Sequence, residues 1–326
     1  MGQILKIFIF NLCGIFLLCG AGAIWGFYQF SAPGPLKSEV SIIIERGNGI
    51  DSISRILEKA GVLDTPFVFQ IAARLYNVDK DLKAGEYAFS QSLSPKEVLK
   101  LLQSGKTVIR KITLAEGLTT TEILAILEKT EGLQGIVPPI LEEGTLLPET
   151  YHYSFGDSRQ DIIHRMEADL RKLVNTLWNK RKPNLPFLSA DEAVVVASIV
   201  EKETALPSER PRIAAVFINR IRKGMRLQSD PTVVYGLTKA IGPLGRRLTK
   251  SDLKFSTPYN TYLIRGLPPG PIANPGSASI QAVLQPLQTE ELYFVANGKG
   301  GHSFAKSLKE HNRNVALWRK IKKSKK

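Results

Sequence analysis

The stretch AVVVASIVEKETALPSERPRIAAVFINRIRKGMRLQSDPTVVYG, residues 193–236, carries two helical patterns split by prolines and closed by a polar turn. Just before it, Ser189-Ala190-Asp191-Glu192 forms a capping box, with Ser at the N-cap and Glu three residues on, so a helix starts there. Steps of three or four from Ala193 reach Val196, Ile199 or Val200, and then Glu203. Glu203 therefore continues the apolar stripe, whereas Glu201 falls below Ala197 and Ser198. A carboxylate on a buried stripe is partly desolvated, which raises its pKa and favours the protonated form. A protonated carboxyl facing a cleft is what a general acid needs. From spacing alone, the plainer reading of a helix end entering solvent stands beside it. Pro207 and Pro211 break the chain. Residues 212–223 form the second helix on Ile213, Val216, Phe217 and Ile221, and Gly224 closes it. Residues 225–236 read as a polar turn.

Upstream, residues 158–182 read as a long basic amphipathic helix stopped by Pro183 and Pro186. Residues 108–114 suit a strand and residues 119–128 a helix capped by Thr119. LLPETYHY, residues 146–153, has no regular period and is open to two readings, a sugar-stacking wall or a packed corner. Residues 31–35 (SAPGP) read as a linker. A strand over 40–44 follows, then helices over 50–60 and 65–76, with Pro66 in the first turn of the latter. A return strand over 83–89 precedes a helix opened by Ser94 and Glu97. This strand–helix–helix–strand layout resembles a LysM-like module, a small fold that binds N-acetylated glycans; a plain spacer domain is the other reading.

Downstream, residues 237–255 read as a mobile basic insertion. Residues 256–262 (STPYNTY) combine two aromatics with an amide, groups suited to stacking on one sugar and hydrogen-bonding an acetamido substituent. GLPPGPIANPG, residues 266–276, is a proline-stiffened loop. Ser277 starts a helix that Pro286 ends, and residues 291–304 read as a hairpin turning at Asn297-Gly298. Gly298-Lys299-Gly300-Gly301 has neither Walker A nor GxGxxG spacing, so it is a turn and not a phosphate loop. A last helix from Leu308 runs into the basic tail KIKKSKK.

At the other end, residues 7–28 are apolar apart from Asn11, long enough to cross a bilayer core. Trp25 and Tyr28 lie at one end and Lys6 at the other, which puts the N-terminus in the cytoplasm and the bulk of the chain outside it. A cleaved signal peptide, with Ala21-Gly22-Ala23 as its site, is the competing reading. Both cysteines, Cys13 and Cys19, fall in this segment, so the remaining chain has no disulfide, thiol nucleophile or Cys-based metal site. The four histidines lack metal-ligand spacing, and neither metal nor cofactor is expected. A net charge of +14 on 326 residues points to an anionic partner: nucleic acid, anionic lipid or cell-wall polymer. An extracytoplasmic location argues against nucleic acid.

ASIVEKET, VFINRI, GMRLQSDPTVVYG, YNTY, GLPPGPIANPG and YFVANGKGGHSF, in this order, resemble the MltG (YceG-like) endolytic lytic transglycosylases of bacteria. The resemblance covers nearly the whole chain. It implies an α+β protein: a cytoplasmic tip over 1–6, a transmembrane anchor over 7–28, a small LysM-like α+β domain over 37–107 and a larger mixed α+β catalytic domain over 108–326. It also implies an inner-membrane enzyme that cleaves the MurNAc-(β1,4)-GlcNAc bond of nascent peptidoglycan strands without water and so limits their length, leaving 1,6-anhydroMurNAc ends, beside penicillin-binding synthases. Glu203, the second Glu of E-K-E-T, is the catalytic acid on this resemblance. Gln228, Asp230, Tyr259, Asn260 and Tyr262 are the expected substrate contacts. A muramidase-type hydrolase and a non-catalytic peptidoglycan-binding assembly protein remain as alternatives.

Overall fold

The structure, a computed structural model, describes residues 2–239 and 241–324; Met1 of the N-terminal tip and the last two lysines of the basic tail lie outside the described residues. The chain divides into two compact units, residues 1–110 with 152–157 and residues 111–151 with 158–326.

In the first unit, α1 (Gly2–Ser31) leads to β1 (Val40–Ile44), α2 (Ile50–Lys59), α3 (Pro66–Leu75), β2 (Gly85–Phe89) and α4 (Pro95–Ser104). β1 and β2 pair antiparallel, Val40 opposite Phe89 and Ile44 opposite Gly85. The strand–helix–helix–strand order matches the sequence reading. So does the start of α4, where the Ser94 hydroxyl accepts from Glu97 N (3.3 Å) and Glu97 accepts from Ser94 N (2.8 Å). These elements close over a core of their own that includes Ile44, Ile53, Leu57, Phe69, Tyr87, Phe89 and Leu102. The expected linker is packed down instead. A Cβ on Gly34 would stand 2.4 Å from the Leu93 carbonyl, and Ser92 N donates to Leu36 O at 2.9 Å.

β3 (Ile109–Thr113) and β4 (Thr150–Ser154) form a second two-stranded sheet. The aperiodic patch over 146–153 runs into β4, whose alternation turns Tyr151 and Tyr153 inward. The Tyr151 hydroxyl donates to Leu147 O at 2.9 Å. Of its two readings, the packed corner is the one observed.

The second unit holds α5 (Thr120–Lys129), α6 (Arg159–Asn179), α7 (Ala190–Glu203), α8 (Arg210–Arg222) and α9 (Asp230–Thr238). A 3₁₀ turn (Asp252–Lys254), α10 (Ser277–Leu284), the hairpin β5 (Tyr293–Ala296) and β6 (His302–Ala305), and α11 (Leu308–Ser324) complete it. α7 packs against α6, α8, α9 and α10, and every residue from Ala193 to Val200 is buried. A helix apolar all round belongs inside a core, and each fully buried Val or Ile contributes about 1.5–3 kcal/mol. Ser198, polar within that run, donates to Val195 O (2.7 Å) and accepts from Ile272 N (3.0 Å). At the helix start Ser189 accepts from Glu192 N (3.3 Å), while the Glu192 carboxylate takes the Leu188 N–H (2.6 Å) in place of the Ser189 N–H of a full box.

Two expectations change here. The polar turn after α8 gives way at Asp230 to α9, because Ser229 has an extended N-cap backbone and Pro231 suits a first turn. The basic insertion is internally bonded: Arg246 forks onto Asp252 (2.6 and 2.8 Å), and Thr249 donates to the same carboxylate through N and Oγ1 (2.8 and 2.7 Å).

Candidate active site

Glu201 and Glu203 both lie in the last turn of α7, where the carbonyl end of the helix disfavours negative charge. Helical phase does not separate them, since the residues before them are buried on every side. Their partners do. The Glu201 side chain is only 4% exposed; Oε1 accepts from Arg210 Nη2 (2.9 Å) and Oε2 from Gly276 N (2.9 Å). Arg210 also donates to Glu116 (2.9 Å). Glu201 thus ties the end of α7 to the start of α8 and caps α10, whose N-cap residue is Gly276. A Cβ at Gly276 would fall 1.9 Å from Glu116 Oε1, so a side chain there would push the Glu116 carboxylate from its place beside Arg210.

Glu203 makes no ion pair among the described residues. It is half-buried, and its Oε1 accepts from the Ser229 hydroxyl at 2.6 Å. Burial pushes its pKa up, the Ser229 bond opposes this, the charge of Asp230 adds to the rise, and His302 and Arg220 pull the other way. The net displacement is upward. The carboxyl thus sits at a helix end with its proton held more tightly than in water and with Ser229 to orient it.

Ser229 is itself placed by a buried hydroxyl cluster. Its N–H donates to Thr261 Oγ1 (3.0 Å), its carbonyl accepts from Thr232 Oγ1 (2.7 Å), and the two threonine hydroxyls are 2.8 Å apart. Gln228 precedes it in the left-handed region (φ 50°), with its N–H on Thr261 O at 3.1 Å and its side chain exposed. Such a conformation costs a non-glycine residue on the order of 1–2 kcal/mol, and strain of this kind clusters at functional sites.

Of the other expected contacts, Asp230 accepts from the Tyr262 hydroxyl at 2.6 Å. Burial raises the Tyr262 pKa, and the bond to Asp230 raises it further, so the phenol stays a donor. Glu203, Asp230 and Tyr262 are close enough to act on one another electrostatically. Tyr259 is engaged elsewhere: its ring lies 4.7 Å from that of Tyr235, in a network that continues to Glu143. It also lines a concavity with Tyr235, Phe255 and Thr257 that does not include Glu203. Asn260 is fully buried, its amide donating to Leu253 O (3.1 Å) and Phe255 O (2.7 Å) and accepting from Tyr262 N (3.0 Å). It shapes the loop that presents its neighbours.

Sequence reasoning missed Ser229, Thr261, Arg220 and the pair His302–Glu209. His302 Nδ1 lies 2.7 Å from Glu209 Oε2, and its N–H donates to Glu209 Oε1 at 2.8 Å. Burial pushes Glu209 up, but the His302 bonds and Thr204 outweigh it and hold Glu209 below the ordinary carboxylate range. Arg220 is buried, donating to Leu292 O (2.7 Å) and Leu227 O (2.5 Å). The signal for His302 was its place in the GGHSF motif, which a search for metal spacing alone passes over. Among the described residues no group of three His, Cys, Asp or Glu is placed to hold a metal ion.

The YceG-like family model matches residues 42–317. A protein of Bacillus subtilis (strain 168) named endolytic murein transglycosylase is 34% identical, over 85% of this chain and 84% of its own. A protein of Streptococcus pneumoniae (serotype 2) with the same name is 29% identical, over 95% of this chain and 65% of its own. A crystal structure of a YceG-like protein from Listeria monocytogenes is 32% identical, over 85% of this chain and 99% of that one, with a TM-score of 0.49. The chain belongs to the YceG-like family.

Proposed function

We propose that this chain is a peptidoglycan lytic transglycosylase that cuts glycan strands internally, with Glu203 as its acid. The relatives' shared name, endolytic murein transglycosylase, supports the activity. The observation that carries the residue assignment is a half-buried carboxyl with a raised pKa, no ion pair among the described residues, and one hydroxyl donor orienting it. Glu203 gives its proton to the oxygen bridging MurNAc and GlcNAc as the C1–O bond breaks. The muramyl 6-hydroxyl then forms the new C1–O6 bond, its proton passing to the Glu203 carboxylate. The acid is restored, no water is consumed, and a 1,6-anhydro end results. Arg220 and His302 pull the Glu203 pKa down and so favour its ionised form midway through this cycle.

Asp230, Tyr262 and Gln228 are the proposed contacts around the scissile bond, and Tyr259 a contact farther along the strand. Asn260 serves by holding their loop. The strand–helix–helix–strand unit supports a LysM-like, glycan-holding role. The apolar N-terminal helix is compatible with a single-pass anchor. On this reading the catalytic unit is extracytoplasmic, its strands are nascent ones at the membrane, and penicillin-binding synthases are its neighbours.

One observation favours a second reading. Asp230 is near enough to Glu203 to affect its charge, and glycosidases that use water or a covalent intermediate pair two carboxyls. Mass spectrometry of the fragments released from uncrosslinked glycan by the intact protein separates the two. Anhydro ends are expected; reducing ends, heavier by one water, would make the protein a hydrolase.

A further inference from the structure

The first unit carries an apolar surface that its own fold leaves uncovered. On α3, Phe67, Ile71 and Leu75 recur every fourth residue and are 67%, 39% and 80% exposed, with Tyr76 beyond them at 59%. The opposite side of the same helix, Val68, Phe69, Ala72 and Ala73, fills the core. α3 has no acidic residue, and its two polar side chains turn toward α2: Gln70 donates to the Ser54 hydroxyl (2.6 Å) and Arg74 to Asp51 (2.8 Å). The uncovered stripe is therefore apolar without interruption.

This stripe borders α1. A groove of about 550 Å³ is lined by Trp25, Gly26 and Phe27 from α1 and by Phe67, Ile71 and Leu75 from α3. Phe30, in the last turn of α1, is buried in the core, and its ring lies 6.0 Å from that of Tyr76. The packing of Gly34 against Leu93 O and the Ser92–Leu36 bond leave no slack between α1 and the domain. Residues 7–28 span roughly 33 Å at 1.5 Å per residue, about the thickness of a hydrocarbon core. Trp25 and Phe27 then sit at its edge, and the α3 stripe beside them sits there too.

We infer that the first unit docks on the bilayer, burying Phe67, Ile71, Leu75 and Tyr76 among the acyl chains of the leaflet in which α1 ends. This surface rests on the anchor reading of α1 and is independent of the chemistry at Glu203. It fixes the domain against the membrane where a flexible stalk would let it swing.

The test uses the full chain with Cys13→Ser and Cys19→Ser, in vesicles of phosphatidylcholine and phosphatidylglycerol. A polarity-sensitive fluorophore is attached singly through Leu75→Cys, Phe67→Cys, Glu58→Cys or Phe16→Cys. Leu75, Phe67, Glu58 and Phe16 are all exposed, so labelling them leaves the core intact. Probes at 75 and 67 are expected to shift to shorter wavelength and to lose most of their intensity to quenchers placed shallow in the acyl chains. The probe at 58 is expected to stay water-like, and the one at 16 to be quenched by deep quenchers. Quenching at 16 with water-like emission at 75 and 67 would overturn the docking while leaving the anchor. A shift at 75 and 67 without lipid quenching would assign the stripe to a second copy of the chain and overturn it as well. Absence of quenching at 16 would remove the anchor and the docking together.

Discussion

Replacing Glu203 by Gln keeps the shape of the side chain and its bond from Ser229 while removing the transferable proton. Glycan cleavage is expected to fall by about 10²- to 10⁴-fold, the range for a positioned acid, and unchanged cleavage would cancel the assignment. Stability should move the other way. The folded-state pKa of Glu203 lies above its unfolded value, so the group stabilises the fold below the unfolded carboxyl pKa of about 4.3, and that contribution is lost as pH rises through the folded value. Thermal melts should show the Glu203→Gln protein gaining on the parent as pH rises from below the unfolded carboxyl pKa through the raised folded one. Ser229→Ala tests the orienting bond separately. Its hydroxyl lowers the Glu203 pKa, so without it the alkaline limb of the rate profile should move to higher pH. A limb that stays in place or moves down would mean that Ser229 does not set the acid.

At the scale of elements, the end of α7 and the starts of α8 and α10 meet on the Glu201 carboxylate, which Arg210 and Gly276 N both bind. Arg210 and Glu201 have side chains 10% and 4% exposed, and Arg210 also carries Glu116. Burial raises the Glu116 pKa first, the charge of Glu201 raises it further, and Arg210 holds it down. Removing Arg210 leaves two carboxylates together without their cation, and breaking a buried pair costs about 3–5 kcal/mol. Denaturant titration of Arg210→Ala should show a loss of that size; a loss below about 1 kcal/mol would mean that the network does not hold the helices. Glu201→Gln, which keeps an acceptor for Gly276 N, should retain glycan cleavage in its folded fraction, unlike Glu203→Gln.

Across the whole molecule the two units have separate cores, one around Phe69 and Tyr87 and one around α7 and Phe217. Phe30→Ala empties a site in the first core only, a change that costs about 3–5 kcal/mol for a buried Phe. Hydrogen exchange should lose protection over residues 40–104 and keep it over 193–222. Equal loss in both would mean that the units unfold as one. The same residue makes α1 part of a folded domain as well as an apolar span, since its final turn is a core element.

Most elements were legible because their signals are local. Ser94 with Glu97, Thr119 before α5, Pro66 in a first turn and Gly224 after α8 all act within four residues, and apolar periodicity reports the buried face of the same short window. The start of α9 was missed because Ser229-Asp230-Pro231 is polar and also reads as a turn. Phase singled out Glu203 for a reason that does not hold, as α7 is buried all round; the motif singled it out independently. The sequence by itself determined the helices, the strands, the apolar span and the candidate acid, all of them consequences of chain-local chemistry. Only the tertiary structure decided that Glu201 is bound by Arg210 while Glu203 meets Ser229, 26 residues on, that Tyr262 reaches Asp230 across 32, and that His302 reaches Glu209 across 93. A side chain's pKa and its task depend on what surrounds it in space, and no short window of sequence contains those neighbours.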